Sequence, residues 1–127
     1  MQISFRQTSL KDGERELFFL QSLESENING FQMKIPKNIK EFEKLLNKFI
    51  KDSENPDFGR VPQKVYWVEI NEKIIGIVKI RETLNENLKK IGGNIGYFVG
   101  KDYRNKGYGK KILKNALALF RNHKYII

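Results

Sequence analysis

Apolar residues recur along the chain with two periods, and the places where the period changes mark out the elements. Residues 1–8 alternate, with Ile3 and Phe5 on one face, which predicts a first strand. Ser9-Leu-Lys-Asp12 has the form of a capping box and predicts a helix carrying Leu17, Leu20 and Leu23. Asn27, Asn29 and Gly30 blur its end. A second helix is sharper: Asn38 is a good N-cap with Glu41 three residues on. Behind that cap Ile39, Phe42, Leu45, Leu46, Phe49 and Ile50 form an apolar stripe at helical spacing, which reads as core packing. Asp52-Ser-Glu-Asn-Pro56 ends this helix and opens a loop to Pro62.

The second half of the chain changes to strand-like composition. Residues 65–70 are β-branched and aromatic, Asn71-Glu72-Lys73 is a turn, and residues 74–81 continue as the other arm of a hairpin. Residues 83–90 are polar and irregular, with Leu84 and Leu88 as anchors. Gly92-Gly93 then precedes a third strand over 94–99. After Gly100 comes a glycine-bearing basic stretch, then a helix with Ile112, Leu113, Ala116, Leu117 and Phe120 on one face. Tyr125-Ile-Ile127 reads as the beginning of a last strand. The order β-α-α-β-β-β-α-β implies one α/β (α+β) domain over residues 1–127. Its sheet is mostly antiparallel, flanked by helices, with one β-α-β crossover near the end.

Composition narrows the chemistry. The chain has 127 residues and no cysteine, so disulfides, thiolate catalysis and cysteine-ligated metals are excluded, and no metal site is read. No signal pattern opens the chain, and no apolar run approaches the roughly 18 residues of a membrane span. The expectation is a cytoplasmic, soluble protein that does not engage a membrane. The net charge is +9. Residues 101–127 hold eight bases against the single acid Asp102, so +7 of that charge sits in the last segment. Such a patch points to a polyanionic ligand or to a solvated helix face.

The stretch from Asp102 to Lys114, DYRNKGYGKKILK, follows a strand and opens a helix. Backbone N–H groups at a helix N-terminus lack partners within the helix, and the helix dipole adds partial positive charge there. Gly107 and Gly109 clear the approach, and Arg104, Lys106 and Lys110 add charge, so the stretch reads as a phosphate site. It lacks the Gly-Lys-Ser/Thr ending of a nucleotide loop and the third glycine of a dinucleotide fingerprint.

Gly96-Tyr97-Phe98-Val99, then Tyr103-Arg104-Asn105-Lys106-Gly107-Tyr108-Gly109 and the amphipathic helix to Phe120, resemble the GNAT N-acetyltransferase superfamily. Ile74-Ile75-Gly76-Ile77-Val78 is similar to the hairpin before that motif. Arg81-Glu-Thr-Leu-Asn-Glu-Asn-Leu88 with Gly92-Gly93-Asn94-Ile95-Gly96-Tyr97 looks like a bacterial subgroup of predicted acetyltransferases. The resemblance implies that acetyl-CoA is the cosubstrate and that an acetyl group moves to a primary amine, of a small molecule or a protein, by direct attack on the thioester. It implies that the backbone of Tyr97, Phe98 and Val99 pairs with the pantetheine arm. The amides from Arg104 through Asn105, Lys106, Gly107 and Tyr108 to Gly109 would hold the diphosphate, with Lys106 and Lys110 as accessory contacts. Many relatives carry an acid where this chain has Asn94, which leaves Glu82 and Glu69 as the candidate catalytic bases. His123, at the far end of the helix, reads as a surface residue. Phe18, Phe31 and Trp67 are candidate acceptor-pocket or core aromatics.

Relatives continue with a further helix and two strands that this sequence lacks, so the resemblance implies a domain incomplete at its C-terminus, and the strand begun at Tyr125 implies a homo-oligomer. Two other readings follow the same residues: a coenzyme A-binding remnant without turnover, and a nucleic-acid module in which Tyr103 and Tyr108 stack on bases. For the latter the sequence shows no recognisable RNA- or DNA-binding motif.

Overall fold

The computed structural model describes residues 2–23, 27–28, 31–55, 57–58, 62–81 and 95–125. Its centre is the hairpin of β4 (Gln63–Ile70) and β5 (Lys73–Arg81). Asn71 and Glu72 between them both have positive φ, 51° and 67°. That is the backbone of a two-residue turn whose twist matches the strands it joins. Val68 faces Gly76 and Glu69 faces Ile74, so Ile75 is an extra residue in β5, a bulge.

β1 (Ser4–Gln7) pairs with β4 and β6 (Ile95–Val99) with β5, giving the order β1-β4-β5-β6, antiparallel throughout. One face of the sheet presents Val65, Trp67, Ile77 and Phe98 to helix α1 (Glu14–Gln21) and helix α2 (Ile39–Glu54). The other face presents Tyr66, Val68, Val78, Ile80 and Val99 to helix α3 (Tyr108–Tyr125), which docks through Ile112 and Ala116. The two-residue period of the strands therefore supplies both halves of the core.

α2 starts as the sequence implies: the Asn38 side chain accepts a hydrogen bond from the Glu41 N–H at 2.9 Å. α1 starts later than the capping-box reading implies. Half of that box forms, with the Ser9 N–H donating to the Asp12 carboxylate at 2.8 Å, but the Ser9 hydroxyl accepts from the Lys11 N–H and the contact closes a turn. The helix begins beyond Gly13, whose N–H donates to Glu16 at 2.8 Å. The carboxylate of Asp12 is spent on Arg6 and Trp67 instead of on a helix end.

A short hairpin of β2 (Asn27–Ile28) and β3 (Phe31–Gln32) stands where the sequence offers only a blurred helix end, and it lies beside β6 without joining its sheet. The reading of Tyr125 as the start of a strand is corrected: it is the last residue of α3. No glycine or proline follows Gly109 to stop the helix. The described residues accordingly contain no β-α-β crossover.

Candidate functional site

Strand β6 lies at one edge of the sheet and leads directly into the basic stretch. The Gly100 N–H donates to the Ile75 carbonyl at 2.7 Å, closing the β5–β6 ladder. Bonded and non-bonded pairs alternate along an antiparallel ladder. Phe98 with Ile77 and Gly96 with Lys79 are therefore the bonded pairs, and the amides of Tyr97 and Val99 face the open edge. The side chains of Phe98 and Val99 are buried on opposite sheet faces, so these residues anchor the strand and leave only backbone at the edge.

Lys101–Tyr103 form a single 3-10 turn, residues 104–107 turn again, and α3 begins at Tyr108. Asn105 and Gly107 have φ of 62° and 82°. A Cβ at Gly107 would meet nothing within 4 Å, so glycine serves backbone conformation there. Gly109 has a different reason: a Cβ would come to 3.3 Å from the Tyr97 ring, closer than such contacts usually run, so the missing side chain lets the helix pack tightly on that ring.

No N–H from Arg104 to Lys110 has a hydrogen-bond acceptor among the described residues. The first turn of α3 holds no acid, and Lys106 and Lys110 are exposed around it. Arg104 turns inward: its Nε donates to the Val99 carbonyl at 2.9 Å, and its Nη2 is buried without a partner. A run of free amides, an open left-handed glycine and an orphaned guanidinium nitrogen together fit a diphosphate. The described residues hold no group of three histidine or acidic side chains fit for a metal.

Tyr103 and Tyr108 pack edge to face at 6.0 Å and lean on the core, and Lys111 lies 5.6 Å from the Tyr108 ring centre. Neither ring stands free for a base to stack on. His123 lies near the end of α3, fifteen positions beyond Tyr108, or roughly 22 Å at 1.5 Å per residue. Phe18 lines a cavity of about 400 Å³ between α1 and residues 100–103. Trp67 is core with no exposed surface, and the Phe31 side chain lies outside the described residues. Glu82 and Asn94 also lie outside them.

Glu69 is not brought to this edge. It sits two strands further in, at the turn end of β4, where Arg6 and Arg15 reach its carboxylate at 3.1 and 3.0 Å. Arg6 also holds Asp12 at 2.8 Å and Glu16 at 3.1 Å. Sequence reasoning missed this knot of two arginines and three carboxylates, because its members are scattered over four separate segments. Burial alone would lower the Arg6 pKa, but hydrogen bonds and charge from Glu69 and Asp12 carry it well above its ordinary value. Burial alone would raise the Glu16 carboxyl, yet hydrogen bonds from the backbone of Gly13 and of Glu16 itself, and from Arg15 and Arg6, bring it below the usual range.

A depressed carboxylate pKa gives stability that is present above the unfolded value of about 4.3 and is lost as pH falls through the folded value. Arg6 stays charged throughout that window. Urea midpoints will therefore hold steady from neutral pH down to about 5 and then fall. Glu16→Gln will cost about 1–3 kcal/mol at pH 7 and flatten the acid slope. An unchanged acid slope in that variant would remove Glu16 from the account.

A family model described as the acetyltransferase (GNAT) family matches residues 21–127. An acetyltransferase of the GNAT family from Streptococcus pneumoniae, known from its crystal structure, superposes with a TM-score of 0.54 at 25% sequence identity. The match covers 91% of this chain and 65% of that one, so the chain spans just under two thirds of that protein's length. No curated protein matches.

Proposed function

The chain belongs to the acetyltransferase (GNAT) family, and from that premise we propose that it binds acetyl-CoA along β6 and the turn after it and transfers the acetyl group to a primary amine. The observation that carries the reading is the run of amides from Arg104 to Lys110 that have no acceptor among the described residues, set where an edge strand passes into a helix. Those amides and the N-terminus of α3 hold the diphosphate, with Lys106 and Lys110 at its rim. The outward amides of Tyr97 and Val99 hold the pantetheine arm as an added strand. Arg104 ties the end of β6 to the turn and keeps one nitrogen for a ligand oxygen.

Bound acetyl-CoA supplies an acyl group activated as a thioester. The chain's contribution is alignment: a five-residue strand, roughly 17 Å long at 3.4 Å per residue, fixes the arm so that the thioester lies toward Ile95. The acceptor nitrogen forms the new bond to the acyl carbon, its proton passes to a base, and the thiolate leaves and is protonated. Glu69 is held by two guanidinium groups at the opposite end of the sheet, so its role is structural. Glu82, which follows Arg81 in the chain, is the proposed base.

Acetyl-CoA at a hundred times its Kd will stabilise the fold by about 2.7 kcal/mol, read as a rise in Tm. Release of free thiol in the presence of amines will then report transfer, and Glu82→Gln will slow it with the Tm rise intact. A Tm unmoved by acetyl-CoA would refute the reading. A normal rise with no thiol released from any amine would reduce it to coenzyme binding.

A further inference from the structure

A second cavity, of about 540 Å³, opens at the Ile95 end of the sheet, on the face covered by α2. Lys34, Lys48, Lys79 and Arg81 stand around it, and Asp52 is the one carboxylate among the described residues that line it. Its floor is apolar, with Phe49 and Val65 from the core. Leu45, Lys48, Phe49 and Asp52 fall on one stripe of α2 at spacings of three and four, so the helix turns the same face to the cavity for nearly two turns. Gln63 closes the wall. It is only 7% exposed.

The cavity lies one strand in from the edge proposed for the thioester. Lys79 sits directly opposite Gly96 in the β5–β6 register, and Gln63 opposite Arg81. One strand spacing, about 4.8 Å, separates the Lys79 backbone from β6 and its open edge. A molecule seated in the cavity can therefore present an amine to that edge across a single glycine.

We infer that this cavity is the acceptor site and that the acceptor is a small primary amine carrying an anionic group, a carboxylate or a phosphate. The inference rests on the acetyltransferase reading above. Among the described residues that line it, cations outnumber carboxylates, which gives a positive field at the mouth that draws anions in and repels polyamines. Arg81 offers the planar fork that suits carboxylate and phosphate alike, and Lys34 and Lys48 add point charge. The apolar floor leaves room for the carbon skeleton between the two polar ends.

Matched pairs test the assignment: L-serine against L-serinamide, and glucosamine 6-phosphate against glucosamine, with spermidine as a polycation. For at least one pair the anionic member will show a kcat/KM at least tenfold above its neutral partner, and which pair responds separates carboxylate from phosphate. The same member will raise Tm further when added to protein saturated with coenzyme A, a readout independent of turnover. Arg81→Gln with Lys48→Gln will bring the ratio within a pair below threefold and leave the Tm rise given by acetyl-CoA unchanged. Preference for spermidine, or equal binding and turnover within both pairs, would overturn the inference. Loss of the acetyl-CoA rise in the unmodified protein would instead overturn the acetyltransferase reading, while the Tm response to the amines alone would still judge the cavity.

Discussion

Replacing Gly107 with valine will abolish the stabilisation by acetyl-CoA. The φ of 82° at this position is one that a β-branched residue does not accept. Forcing it costs about 1–2 kcal/mol, or the turn rearranges to avoid it. Either way the amides from Arg104 to Lys110 cease to converge. Loss of the diphosphate contacts will weaken binding by at least a hundredfold, about 2.7 kcal/mol. At the ligand concentration expected to raise Tm in the unmodified chain, the rise will vanish. Gly107→Asn is the control. Asparagine enters the left-handed region far more readily, as Asn105 does two residues earlier at 62°, so this variant will keep most of the rise. Space is not the issue, since a Cβ there meets nothing within 4 Å. A full acetyl-CoA response in Gly107→Val would place the diphosphate somewhere other than this turn.

The same turn shows how far sequence alone reaches. Its two glycines are equally visible in the sequence, but they do different work. Gly107 is there for φ, which local sequence can suggest. Gly109 is there because Tyr97, twelve positions earlier, lays its ring on the helix. That is a tertiary contact, and no local pattern carries it. α2 was legible because its cap and its apolar stripe are both local and agree with each other. The Asn71-Glu72 turn was legible for the same reason. The start of α1 was misplaced because Asp12, a residue suited to a cap, was taken by Arg6 and Trp67 from distant parts of the chain. Composition alone suggests a strand at Tyr125, whereas the helix runs on to it in the absence of a breaker.

The acceptor cavity illustrates the other gap. Along β5 the face that carries Ile77 in the core carries Lys79 and Arg81 at its end. That switch from apolar to cationic on one strand face was present in the sequence. It gains meaning only when α2 brings Lys48 and Asp52 to the same place, and their spacing from Lys79 in the chain gives no hint of it.

Trp67→Ala will have the largest effect on stability. The indole has no exposed surface and lies between Phe19, edge to face at 6.4 Å, and Phe42 at 6.5 Å. Truncation removes that packing and leaves a cavity between the sheet and both helices, at a cost of about 3–5 kcal/mol. A second term follows from chemistry. The Trp67 Nε1–H donates to Asp12 at 2.8 Å, and the Asp12 side chain is 2% exposed. Without that donor the carboxylate keeps Arg6 and the Ser9 N–H but loses part of its compensation for burial. Domains of this kind hold only about 5–15 kcal/mol in total. Trp67→Ala will therefore be largely unfolded by circular dichroism well below the Tm of the unmodified chain. Trp67→Phe separates the two terms, since it restores most of the ring volume and none of the donor. It will recover the greater part of the loss and still fall short by about 1–3 kcal/mol. Asp12→Asn made in the Trp67→Phe background will then cost less than in the unmodified chain, because the partner it would have lost is already gone. Equal costs of Asp12→Asn in the two backgrounds would mean that the indole N–H and the carboxylate are not coupled, and that packing alone fixes Trp67.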